Sequence, residues 1–75
     1  MTLRNFAEAI NGNFSLYVIG KDKEFSECVD VDYRVGFDGF RKSLNRAYEV
    51  ADRTDLKLVS VQFILGNIVI CVEEV

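Results

Sequence analysis

The most constraining feature is the C-terminal third, where two apolar runs, 58–65 and 68–75, flank Gly66-Asn67. A Gly-Asn pair between such runs predicts a β-hairpin with a two-residue loop and glycine at its first central position. That loop sets Leu65 against Ile68, Phe63 against Ile70 and Val61 against Val72, all on one face. The other face then pairs Ile64 with Val69, Gln62 with Cys71 and Ser60 with Glu73. The register is consistent on both sides, as side-chain alternation in a strand requires.

The rest of the chain must cover the apolar face of that hairpin. Residues 14–19 alternate as a strand, with Phe14, Leu16 and Val18 on one side and Ser15, Tyr17 and Ile19 on the other. A turn at 20–23 leads to a second strand, 24–35. Phe25, Val29, Val31, Tyr33 and Val35 share its apolar side, and Glu24, Ser26, Cys28, Asp30, Asp32 and Arg34 share its polar side. Glu27 interrupts the apolar side, which predicts a bulge or a sheet edge there.

Two segments carry helical spacing. Thr2 caps the first, whose stripe is Leu3, Phe6, Ala7 and Ile10, with a stop at Asn11-Gly12-Asn13. Asp38 caps the second, whose stripe is Phe40, Leu44, Ala47, Tyr48 and Ala51, with an end at Thr54-Asp55. The order α-β-β-α-β-β predicts an α+β fold: a two-layer sandwich with a four-stranded, mainly antiparallel sheet and two helices on one face. Seventy-five residues make one domain, 1–75. Strand order is open between 2-1-3-4 and 2-1-4-3, among others.

Composition narrows the chemistry. The chain has no histidine, and so lacks the commonest general base and metal ligand. Two cysteines, Cys28 and Cys71, are too few for a zinc site or a disulfide-built fold. A disulfide between them requires adjacent strands, which the sequence leaves undecided. The glycines are scattered turn residues without a phosphate-binding pattern. No cofactor and no metal are expected, and the expected role is not enzymatic. Asp30 and Asp32 read as surface carboxylates rather than an acid–base couple. Residues 2–6 lack the apolar core of a signal peptide, and 59–72 is too short to span a bilayer, so a cytoplasmic protein without membrane contact is expected. Nine basic against twelve acidic residues give a net charge of −3, which disfavours direct nucleic-acid binding. Arg41, Lys42, Arg46 and Arg53 are diluted on the second helix by Asp38, Glu49 and Asp52.

What remains is the helix-free face of the sheet. Tyr17, Ile19, Ile64 and Val69 supply apolar anchors there, and Glu24, Asp30, Asp32 and Glu73 supply negative charge. An apolar centre with a charged rim is the anatomy of a protein interface, and acids steer a basic partner. In general type the chain resembles the small acidic proteins of phages and mobile elements, anti-CRISPR inhibitors among them: a short, Met-initiated single domain with an acidic balance and no catalytic motif. The resemblance implies a stoichiometric inhibitor that blocks a basic, nucleic-acid-handling surface of a partner protein, in the host cytoplasm. It carries over no site residue. The alternative is a self-associating structural or adaptor protein that uses the same face, its exposed apolar strand residues meeting their own copies sheet face to sheet face or edge to edge in a homodimer.

Overall fold

The structure, a computed structural model, describes residues 4–5, 10 and 13–75, with the backbone alone at Tyr33. Its elements are β1 (Phe14–Ile19), β2 (Phe25–Val31), a 3-10 turn (Tyr33–Val35), α1 (Phe37–Ala51), β3 (Leu56–Ile64) and β4 (Asn67–Glu74). The four strands form one sheet in the order β2-β1-β4-β3. β1 pairs antiparallel with β2, β3 pairs antiparallel with β4, and β1 and β4 run parallel at the centre. The sheet is therefore mixed rather than mainly antiparallel. The cause is connectivity: two hairpins dock through β1 and β4, and α1 carries the chain from β2 at one edge to β3 at the other.

One helix, α1, is described. The first helix expected over 2–10 lies largely outside the described residues. Of that segment, Arg4 and Asn5 are helical, and Ile10 packs on the core. Arg4 sits over the Tyr48 ring, 4.7 Å from its centroid, and bonds Asp52 at 2.6 Å.

The core lies between α1 and one face of the sheet. Phe14, Leu16 and Val18 of β1, Val29 and Val31 of β2, and Ile70 and Val72 of β4 meet Ala47 and Val50 of α1. Phe40, Leu44 and Tyr48 flank them as the helical spacing predicts. Val50, absent from that stripe, is fully buried. β1 and β4 are apolar on both faces, as inner strands must be.

Three local readings change. First, β2 ends at Val31, not Val35. The Asp32 side chain accepts the Arg34 backbone N–H at 2.8 Å and caps the 3-10 turn. Such a local bond offers the backbone an alternative to the sheet ladder. Second, α1 is capped by Gly36 at φ 101°, a conformation suited to glycine, and Asp38 lies in the first turn. The helix stops at Ala51, capped by Asp52, ahead of Thr54-Asp55. Third, the C-terminal hairpin turns one residue earlier than expected. Ile64 faces Asn67, Phe63 faces Ile68, Gln62 faces Val69 and Val61 faces Ile70. From Ser60 to Ile64 every side chain keeps its face, because the register moves by two; a bulge at Val59 turns Leu58 to the helix side opposite Val72, and Leu65 leaves the ladder for the loop. Leu65 (φ 50°) and Gly66 (φ 82°) are both left-handed, the pair a type I′ turn uses.

Candidate protein-docking surface

The face of the sheet opposite α1 follows from the registers. Cross-strand neighbours fall into rows: Asp30–Ser15–Val69–Gln62, then Cys28–Tyr17–Cys71–Ser60, then Phe25–Ile19–Glu73–Lys57. Tyr17, Ile19 and Val69 thus share this face, as the sequence predicts, with Tyr17 between the row of Val69 and the row of Ile19. Tyr17 is exposed, and Ile19 and Val69 are half-buried. Ile64 is on the same face but at its corner, opposite Asn67 and beside the loop.

Phe25 was expected on the helix side and is found on this one. The β1–β2 register shifts between Val18 and Ile19, so that Ile19 faces Phe25 and Val18 faces Glu27. Ser26 is the extra residue of a bulge, and its insertion reverses the side on which Phe25 projects. The Phe25 ring, 62% exposed, meets Tyr17 edge-on with centroids 6.4 Å apart. The interrupting Glu27 that signalled a bulge points to the helix side instead. Arg46 donates to it twice at 2.6 Å and to Glu49 at 3.0 Å. That fork holds the Glu27 carboxyl below the usual glutamate range.

The four expected acids divide. Asp30 is exposed on the face and accepts from Ser15 Oγ at 2.5 Å, with Cys28 Sγ at 3.8 Å. Glu73 is on the face too, bonded by Lys23, which holds its carboxyl low. Asp32 lies beyond the strand, gripped by the Arg34 guanidinium at 2.8 Å and likewise held low. Glu24 lies in the turn before β2, where its backbone N–H donates to Asp22 at 3.0 Å. The bulge and the Asp32 cap together shorten the strand that would have aligned all three β2 acids.

Tyr17 and Cys28 are coupled. A hydrogen bond with Cys28 raises the Tyr17 phenol above its ordinary pKa, and burial, with the Asp30 charge, raises the Cys28 thiol. Cys71 is on the far side of Tyr17, two strands from Cys28. At about 4.8 Å per strand the cysteines are roughly 10 Å apart, too far for a disulfide.

A shallow hollow of about 370 Å³ opens at one end of the sheet, where Ser15, Asp30, Asp32, Arg34, Ser43 and Asn67 line it. Both of its carboxylates are engaged, Asp30 by Ser15 and Asp32 by Arg34. Among the described residues no group of three or more acidic, cysteine or histidine side chains converges as a metal site. No helix among them is long and apolar enough to cross a membrane.

No family model, curated protein or solved structure matches the chain.

The second exposed apolar region lies around the β3–β4 hairpin. Leu65 is 98% exposed and Phe63 78%, with Leu58, Val59 and Ile64 about half exposed. The sequence pattern assigned Phe63 and Leu65 to the covered face. Their exposure follows from the position of the loop and from α1 packing on β1, β2 and β4, which among the described residues leaves the β3 side of that face uncovered.

Proposed function

We propose that this chain is a nonenzymatic protein-binding module that docks through the sheet face opposite α1. The observation that carries the reading is the Tyr17–Phe25 pair. A bulge turns a second aromatic ring away from the core and sets it against the first, with Phe25 62% and Tyr17 37% exposed. The bulge spares Phe25 a place beside the Glu27–Arg46 pair and leaves two rings together on the solvent side, where exposed aromatic side chains are typical anchors of protein interfaces. Ile19 and Val69 extend the apolar centre, and Asp30 supplies negative charge beside it. The acidic rim is smaller than the sequence implied, because Glu73 and Asp32 are neutralised by Lys23 and Arg34.

The narrower form of the reading is a stoichiometric inhibitor, anti-CRISPR-like in type, that occludes a basic nucleic-acid-handling surface. Its support is the net charge of −3 and the placement of Asp30 next to the aromatic pair. Capture from the source cells, followed by reconstitution with the purified partner, tests both forms. Phe25→Lys is expected to abolish the complex, and Asp30→Lys to slow association about tenfold at low salt. A partner that binds both variants as it binds the unmodified chain overturns the outer face as the site. An on-rate insensitive to salt and to Asp30→Lys overturns the basic-partner form.

A further inference from the structure

The two edges of the sheet are built in opposite ways. β2 carries a bulge at Ser26 and the charges of Glu27 and Asp30, features that discourage strand addition. β3 has β4 as its one neighbour among the described residues. From Leu58 to Val72 the chain holds no formal charge at all. β3 has its own bulge at Val59, between Leu58 and Ser60, so its regular free edge is 60–64.

We propose that this edge pairs antiparallel with the β3 edge of a second copy, about a two-fold axis through Gln62. Opposed residues in an antiparallel pair lie on the same face, which limits the register. Centred on Gln62, Val61 meets Phe63 of the second copy on the helix side, and Ser60 meets Ile64 on the other. Just past the ladder, Leu65 reaches the bulged Val59 of the second copy. A centre at Val61 runs the ladder into the bulge, and a centre at Phe63 runs it into the loop. The Gln62 register is therefore the one that uses the whole regular edge, and it brings together the exposed apolar residues of the hairpin.

Self-complementarity is what favours a second copy over a foreign strand. Val61 and Phe63 flank Gln62 as an apolar pair on the helix side, and the lack of charge from Leu58 to Val72 leaves nothing to repel a second copy. Val59, Phe63, Ile64 and Leu65, 47–98% exposed in the monomer, all lie along this contact, so pairing takes apolar surface out of water. A two-fold contact closes on itself, and the guarded β2 edges end the assembly at eight strands rather than a fibre. The dimer then carries two Tyr17–Phe25 faces on one continuous sheet.

Sedimentation of the full chain from roughly 1 to 300 μM tests the pairing, with a monomer–dimer midpoint expected in the micromolar range. Phe63→Lys, at an exposed position, is expected to remain monomeric throughout with an unchanged circular dichroism spectrum. In a Cys28→Ser, Cys71→Ser background, Gln62→Cys is expected to form a covalent dimer on mild oxidation far more readily than Ser60→Cys. A wild-type monomer at 300 μM, or a dimer that persists in Phe63→Lys, overturns the proposal. Equal cross-linking of the two cysteine variants overturns the register. A monomer that still binds its partner through Phe25 sinks the pairing alone. A dimer abolished by Phe25→Lys but not by Phe63→Lys moves self-association to the sheet face and removes the basis of both proposals.

Discussion

Leu65 occupies a backbone conformation that leucine avoids, imposed by the type I′ turn that it forms with Gly66. Its φ of 50° places Cβ against the following carbonyl, at a cost of about 1–2 kcal/mol relative to a right-handed geometry. At 98% exposure the side chain recovers no burial within the chain. Leu65→Asn gives Asn-Gly, the preferred type I′ dipeptide, because the short amide tolerates the left-handed region. The substitution is expected to stabilise the monomer by about 0.5–1 kcal/mol, part of the strain remaining because asparagine also prefers negative φ. For a domain of this size 1 kcal/mol corresponds to roughly 4–8 °C in Tm, so a rise of about 2–8 °C is expected. Thermal unfolding at low micromolar concentration, followed by circular dichroism, reads it. The same series at high concentration separates fold from association. Wild-type Tm should climb with concentration as the dimer forms, and the Leu65→Asn Tm should climb less. An unchanged or lower Tm for Leu65→Asn in dilute solution refutes the strain argument. Equal concentration dependence refutes a role for Leu65 in pairing.

Two titrations follow from the charge arrangement. Hydrogen bonds from Arg46, Arg34, Arg53 and Lys23 hold the Glu27, Asp32, Asp55 and Glu73 carboxyls low in the folded chain. The unfolded chain therefore binds more protons in acid; the stabilisation is complete above the unfolded values near ~4 and is lost as pH falls through the folded ones. Urea midpoints should be level from about pH 8 to 6 and fall below about pH 4. The fall should be shallower in Arg46→Ala, and a midpoint unchanged between pH 6 and 3 contradicts the arrangement. At Cys28 the raised thiol leaves less thiolate at neutral pH than a free cysteine has. In a Cys71→Ser background its alkylation by iodoacetamide should be slower than that of free cysteine and should speed up in Asp30→Asn, whose negative charge is gone. A rate unaffected by Asp30→Asn removes the electrostatic part of that account.

The strands and the second helix are legible in the sequence because period-2 and period-3.6 patterns report directly which side is buried. The alternation of β1 and the apolar run of β4 locate the core side chains residue by residue. The strand order is not in these runs: 58–65 is as apolar as 68–75, so pattern alone does not say which strand of the C-terminal hairpin pairs with β1, and β4 takes that place. What the pattern misses is set by single residues acting against it. An aspartate that caps its own following turn ends β2 at Val31, and one inserted serine reverses Phe25. The hairpin loop is ambiguous by one position, because Gly66 serves equally as the second residue of a type I′ turn or the first of a type II′ turn. Either choice leaves every strand side chain on its face, so hydrophobic pattern carries no information on it. Only the fate of Leu65 differs. The candidate face was half legible: Tyr17, Ile19, Val69, Asp30 and Glu73 follow from alternation, and Phe25 does not.

The departure at Phe25 and the departure at Glu27 have a common origin. Glu27 keeps parity with Val29 and Val31, so it arrives on the helix side whatever happens further up the strand. A carboxylate there is tolerable because Arg46 reaches down from α1 and takes both of its oxygens. That ion pair sits opposite Val18, and the next inward residue of an unbulged strand would be Phe25. A phenyl ring at that point must crowd a bidentate pair or lie beyond the cover of α1, with its apolar surface against a charged group. Inserting Ser26 avoids both, at the cost of one unpaired ladder position, and delivers the ring to Tyr17 on the opposite face. The aromatic pair proposed as the docking centre is thus linked to an arginine on the far side of the sheet.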